Sequence, residues 1–144
     1  TSLTIPDSVT SIGDSTFENC KIQGTLSIPN KVTSIRSGVF KGFEADTLII
    51  PDSVTTIDGH TCMWNMKLNS LVIGSGVTKI TGGFRDSTIN TITIYAVTPP
   101  LATNDLLIGT RITTIYVPQA SVEAYRTADK WSSAASIIQP IPTT

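Results

Sequence analysis

The sequence predicts a β-rich α/β repeat fold: a parallel solenoid of about six short strands closed by a C-terminal helical cap. Three observations predict it. Of the 144 residues, 38 are Ser or Thr and 51 are Ile, Val or Thr, a composition that suits a hydroxyl-covered surface over a β-branched interior. A strand-like tetrad recurs six times at near-constant spacing. In the last 30 residues the apolar spacing changes from two to three, as on one face of a helix.

The repeat is the strongest of the three signals. Leu3-Thr4-Ile5-Pro6, Leu26-Ser27-Ile28-Pro29, Leu48-Ile49-Ile50-Pro51, Leu71-Val72-Ile73-Gly74, Ile92-Thr93-Ile94-Tyr95 and Ile115-Tyr116-Val117-Pro118 start 23, 22, 23, 21 and 23 residues apart. Alternate side chains of a strand face opposite sides, so Leu3 and Ile5, and their equivalents, form the buried set. Ser2/Thr4, Thr25/Ser27, Thr47/Ile49, Ser70/Val72, Thr91/Thr93 and Thr114/Tyr116 then face outward. One repeat buries too few side chains to stand alone; stacking joins them into one core.

Each strand is followed by a stop. The proline lacks an N–H and suits a strand end; Asp7, Asn30, Asp52 and Ser75 occupy the turn, where their side chains bond nearby backbone. The first four repeats then carry a second signature: Val9-Thr10-Ser11-Ile12, Val32-Thr33-Ser34-Ile35, Val54-Thr55-Thr56-Ile57 and Val77-Thr78-Lys79-Ile80. Gly13, Gly38, Gly59 and Gly82–Gly83 mark a return bend, and Phe17, Phe40, Cys62 and Phe84 close the unit. The segment around each Phe is too short for a full helix and reads as a helical or 3₁₀ turn. A further apolar residue, Ala45, Leu68, Ile89 or Ile112, precedes the next tetrad by three.

The domain reading is one run of repeats over 1–114, starting near 3, 26, 48, 71 and 92, and a terminal unit over 115–144. In the latter, Val122, Tyr125 and Ala128 line one helix face within 118–130 and Trp131 continues the spacing, with Ser121 as N-cap and Glu123 in the first turn. Trp131, Ala135 and Ile138 then cover the end of the stack, and Gln139-Pro140-Ile141-Pro142 is extended. No comparable cap precedes the first strand. The chain is therefore expected to be the C-terminal piece of a longer protein, and its uncovered first repeat leaves strand edges open to end-to-end self-association.

The full pattern, Leu-x-Ile-Pro-x-x-Val-Thr-x-Ile-Gly followed by Phe-x-x-Cys, resembles the BspA-like (Treponema-type) leucine-rich repeat family. Leu3 to Cys20 match it almost position by position, and residues 26–43 closely. Gly74 in place of Pro, Cys62 in place of Phe, and the Val97-Thr98-Pro99-Pro100 segment depart from it. The resemblance implies a right-handed parallel leucine-rich-repeat solenoid on a secreted or surface protein of a host-associated bacterium or protist, one that binds partners and is not an enzyme.

Composition excludes other classes. Ten basic against 11 acidic residues leave a net charge of −1, with no basic surplus to displace counterions from phosphates, so nucleic acid is not an expected partner. Apolar runs are a few residues long, far below the ~20 needed to insert across a bilayer. No secretory h-region is present.

Candidate chemistry is sparse. His60 is the single histidine, and it stands in His60-Thr61-Cys62-Met63-Trp64-Asn65-Met66, with both Met and one of the two Cys. Soft sulfur ligands suit Cu(I). The competing reading is a core substitution: Cys62 stands where other repeats have Phe, and Met fills the space a lost ring leaves. The core reading prevails, and neither a metal site, a cofactor nor a catalytic residue is expected. Cys20 and Cys62 lie two rungs apart, ~9.5 Å along the stack, beyond disulfide reach; both are expected as free thiols, Cys20 partly buried. Gly74-Ser75-Gly76 lacks the Lys-Ser/Thr of a phosphate loop. Asn30 between Asp7 and Asp52 interrupts any calcium ladder.

What remains is a surface. The outward strand face is nearly uncharged and turns apolar in its middle, and Thr47, Ile49, Ser70, Val72, Thr93 and Tyr116 form the candidate binding face. The expected function is a non-enzymatic, adhesin-like protein-binding module outside the cell, with an extracellular or host protein as partner. The alternatives are a structural spacer of a longer surface protein, where Ile49 and Val72 only improve cross-strand pairing, and a Thr-rank binder of an ice or glycan lattice.

Overall fold

A computed structural model describes residues 3–58, 63–81, 83–103 and 106–142. The chain lays down β1 (Thr25–Ser27), β2 (Ser34–Ile35), β3 (Glu44–Ile50), β4 (Thr56–Ile57), β5 (Lys67–Ile73), β6 (Lys79–Ile80), β7 (Thr88–Ile94), β8 (Leu101–Ala102), β9 (Arg111–Val117), α1 (Val122–Thr127) and β10 (Ile138–Pro140). They form two parallel sheets, β1-β3-β5-β7-β9-β10 and β2-β4-β6-β8, each built from strands one repeat apart.

The inward register follows the alternation. Leu26, Leu48, Leu71, Ile92 and Ile115 are fully buried, as are Ile73, Ile94 and Val117, with Ile28 and Ile50 nearly so. They face Val32, Val54 and Val77 and Ile35, Ile57 and Ile80 across a single core. The second signature is thus the second sheet, whose strands of two residues are shorter than a periodicity signal requires.

The main strands begin earlier than the tetrads. Leu68, Ile89 and Ile112 lie within β5, β7 and β9. Registers pair Leu68 with Ile89 and Ser70 with Thr91 but skip the position between them. At that step two successive residues face outward, Asn69 exposed and Ser70 half-buried, which is why the apolar residue stands three, not two, before the tetrad.

Two expectations need correction at the ends, and the extended tail gains a partner. Leu3–Pro6 forms no strand, and β1 is the sheet edge. The first repeat joins its neighbour at the Phe corner instead, through Ser15 N–H to Ser37 O at 3.0 Å, Phe17 N–H to Val39 O at 3.0 Å and Asn19 N–H to Lys41 O at 2.8 Å. A terminal strand has a neighbour on one side only and gains half the ladder. At the other end the extended tail is a strand: Ile138–Pro140 pairs with Ile115–Val117, and Ile141 N–H reaches Val117 O at 2.8 Å. The helix is shorter than its spacing suggested. It ends at Thr127 because Ala128 is extended (φ −69°, ψ 147°), and Ser121 makes no capping bond.

The Phe segments are runs of single 3₁₀-type turns that do not join into a helix. Four-residue turns close from Thr16 N–H to Gly13 O, Glu18 N–H to Ser15 O and Cys20 N–H to Phe17 O. Ser15 (φ 60°) and Asn19 (φ 58°) sit left-handed within them, which interrupts a helical path. The Asn19 position recurs as Gly42, Asn65, Asp86 and Gly109, all left-handed. Inside the bend, Phe17 stacks on Phe40 at 5.6 Å, and Phe43 meets Phe40 edge-on at 5.2 Å. Met63, 23 residues after Phe40 and two before Asn65, is fully buried in this column. Cys62, expected there, lies outside the described residues, as does His60. Cys20 is a half-buried free thiol.

The C-terminal unit docks on the irregular fifth repeat. Ser121 Oγ donates to Val97 O at 2.6 Å, Tyr125 Oη to Ala96 O at 2.7 Å and Trp131 Nε1 to Pro100 O at 2.9 Å. The second-sheet strand survives in this repeat as β8, paired with β6, although the Val-Thr-x-Ile residues are gone. Tyr125 and Trp131 meet edge-on at 5.3 Å, both fully buried, and burial pushes the Tyr125 phenol well above its ordinary range.

Candidate binding face and its groove

Cross-strand pairing fixes the outward columns. Thr47 pairs with Ser70, and Ile49 with Val72; Val72 pairs with Thr93, and Thr93 with Tyr116. All six candidate residues therefore lie on one face of the larger sheet, each half-buried by its neighbours. Parallel strands ~4.8 Å apart place side chains of one column in contact, which covers part of each.

The face is not flat at its N-terminal end. An open groove of about 900 Å³ runs across β1, β3 and β5, lined by Ser27, Ile49 and Val72. Pro29, Pro51 and Gly74, all buried, line it at the strand ends, and Leu3–Ile5 border it. Of the six candidate residues only Ile49 and Val72 reach this groove. Thr47, Ser70, Thr93 and Tyr116 share the face but lie outside it.

Tyr95 also lines the groove and is 46% exposed. Sequence reasoning missed it, although the signal was present: Tyr95 stands where earlier repeats have Pro6, Pro29, Pro51 and Gly74. Gly74 leaves a notch beside it. Its N–H donates to Ile50 O at 2.8 Å, a bond proline could not make. A Cβ there would fall 2.5 Å from Asp52 N, so the site admits only glycine. Asp52 Oδ1 in turn accepts the Ser75 N–H at 2.6 Å.

The charged groove residues are Asp7 and Asp52, both acidic; no Lys or Arg lines it. The site thus offers aliphatic floor, proline and tyrosine surface, hydroxyls and two carboxylates. Among the described residues no cluster of three His, Cys, Asp or Glu could hold a metal ion.

A family profile of the BspA-type leucine-rich repeat region matches residues 1–101, in six copies. The chain belongs to this family. BspA-type leucine-rich repeats generally mediate protein interactions or act as scaffolds, are typically non-enzymatic, and usually occur in surface or secreted bacterial proteins. No curated protein matches the sequence significantly. Among the described residues no helix is long and apolar enough to cross a membrane.

Proposed function

We propose that this chain is a protein-binding module of a surface or secreted protein, a right-handed solenoid whose outward strand face receives an extracellular partner in an adhesin-like role. The groove over Ser27, Ile49 and Val72 carries this reading, because it joins exposed apolar surface to a rigid sheet. Its acidic rim favours a partner with basic residues beside apolar ones.

The test is capture of extracellular-matrix and plasma proteins by the purified chain and by its Ile49→Glu/Val72→Glu variant. A partner retained by the wild type and lost by a variant with unchanged circular dichroism supports the face. A partner retained by both moves the site elsewhere.

One observation favours a spacer instead. Side-chain hydroxyls stitch successive repeats, as Ser53 Oγ does to Val32 O at 2.7 Å and Thr81 Oγ1 to Asp58 Oδ1 at 2.6 Å, and such ties make a stiff rod. Absence of any captured protein favours that role.

A further inference from the structure

The groove on the outward face offers a partner almost no backbone. β3 and β5 each pair with a strand on both sides. At the strand ends, Gly74 N–H donates to Ile50 O at 2.8 Å and Tyr95 N–H to Ile73 O at 3.0 Å, while Val32 and Val54 N–H occupy the carbonyls of Pro29 and Pro51 at 3.1 and 3.2 Å. The prolines have no N–H to give, and Ser75 N–H is bound to Asp52. The groove also runs across the strands, so a chain lying in it crosses them and cannot extend their ladder. An occupant must keep its own backbone satisfied and bind through side-chain surface.

Two side-chain features set what fits. Tyr95 is exposed, and Gly74 on the neighbouring rung has no side chain, so the phenol ring stands clear beside the apolar floor of Ile49 and Val72. Asp7 and Asp52 take the same turn position two repeats apart with Asn30 between them, and both carboxylates are exposed. Rungs ~4.8 Å apart put positions two repeats apart at ~9.6 Å. A polyproline II helix advances about 3.1 Å per residue and ~9.3 Å per three-residue turn, has no internal hydrogen bonds and leaves its backbone to water. Residues three apart in it therefore match the Asp7–Asp52 spacing. An α-helix also satisfies its own backbone, but neighbours on one face fall ~5–6 Å apart, close to one rung, and every second one would meet Asn30.

We infer that this groove receives a proline-rich segment in the polyproline II conformation with a basic residue at every third position. One edge of the segment lays proline rings on Ile49, Val72 and Tyr95. The next edge sets its basic side chains against Asp7 and Asp52, with no Lys or Arg in the lining to oppose them. The third edge faces water. The inference rests on the strand face as the protein-binding surface and names the conformation and charge pattern of what binds there.

The experiment is an NMR titration of the whole chain with acetyl-Pro-Pro-Arg-Pro-Pro-Arg-Pro-Pro-Arg-amide. Two control peptides accompany it: acetyl-Pro-Pro-Pro-Pro-Pro-Pro-Arg-Arg-Arg-amide keeps composition and charge but not the spacing, and acetyl-Gly-Ala-Arg-Gly-Ala-Arg-Gly-Ala-Arg-amide keeps charge and spacing but not the conformation. The expected result is shifted Val72, Ser75 and Tyr95 amides with the first peptide and at least tenfold weaker binding of both controls. Tyr95→Ala and Asp52→Asn are each expected to weaken the first peptide at least threefold; asparagine keeps an oxygen for the Ser75 N–H, so the turn survives. If a variant loses its native circular dichroism, the three peptides on the wild type decide alone. Equal affinity for the three, shifts confined to residues outside the groove, or no binding overturns the inference. A plasma or matrix protein lost by Ile49→Glu/Val72→Glu but kept by Tyr95→Ala overturns it while the binding face stands; one kept by the face variant overturns both.

Discussion

Trp131 donates its indole N–H to the carbonyl of Pro100, 31 residues earlier and 2.9 Å away, with both groups buried. The bond fastens the terminal unit to the fifth repeat at the residue before β8. Trp131→Phe keeps most of the packing and strands the Pro100 carbonyl. The expected loss is about 1–3 kcal/mol in urea unfolding. A variant as stable as the wild type would mean that the cap docks by packing alone.

Tyr125 gives the same docking a pH signature. Its phenol keeps its proton in the folded chain well above the ordinary value of 10.0. Below that value both folded and unfolded chains are protonated and the group has no pH effect. Above it the unfolded chain loses the proton first, so stability falls as pH rises, by up to about 1.4 kcal/mol per unit from this group. Tyr125→Phe should flatten the alkaline slope while lowering stability near neutrality; an unchanged slope would remove Tyr125 as its source.

Ser87 is a buried polar residue of the Phe corner. Its hydroxyl donates to Met63 O at 3.0 Å and accepts Met66 N–H at 3.0 Å. Ser87→Ala leaves two buried backbone groups unpaired and is expected to cost about 1–3 kcal/mol. Chemical denaturation measures it, with Ser53→Ala at a half-buried site as the milder comparison.

The alternation of β3 separates neighbouring residues sharply. Ile50→Ala opens a core cavity and should cost about 2–5 kcal/mol, whereas Ile49→Ala on the outward face should cost under about 1 kcal/mol. Equal losses at the two positions would contradict the register.

Gly42 and Gly24 are both left-handed, at φ 69° and 80°, but a Cβ at Gly42 would strike Asn19 Oδ1 and one at Gly24 meets open space. Gly24→Ala should cost about 1–2 kcal/mol from the backbone alone. Gly42→Ala should exceed it, since a clash adds to the same strain. Thermal unfolding of the two variants ranks them.

The larger sheet was legible because its signal is apolar alternation repeated at a fixed period, as in Leu48/Ile50 and Leu71/Ile73. The smaller sheet was visible only as a recurring Val-Thr-x-Ile, because two-residue strands carry no periodicity of their own. The helix end at Thr127 was hidden, since Ala128 and Trp131 continue the three-residue spacing after the backbone has turned away. Of the candidate site, the columns through Ile49 and Val72 followed from alternation. The groove did not, because it depends on how Leu3–Ile5 sits against β1 and on Tyr95 standing beside Gly74, relations between residues up to 92 positions apart.

The left-handed column running Asn19, Gly42, Asn65, Asp86, Gly109 also limits how this gene can change. Gly42 lies under Asn19 and Gly109 under Asp86, each lacking the Cβ that would strike its neighbour's carboxamide or carboxylate oxygen. Asn65 and Asp86 are neighbours in the same column with no glycine between them, so the limit falls on Gly42 and Gly109 and not on the column as a whole. Drift can exchange side chains elsewhere in the column, but Gly42 and Gly109 stay glycine for as long as Asn19 and Asp86 lie over them.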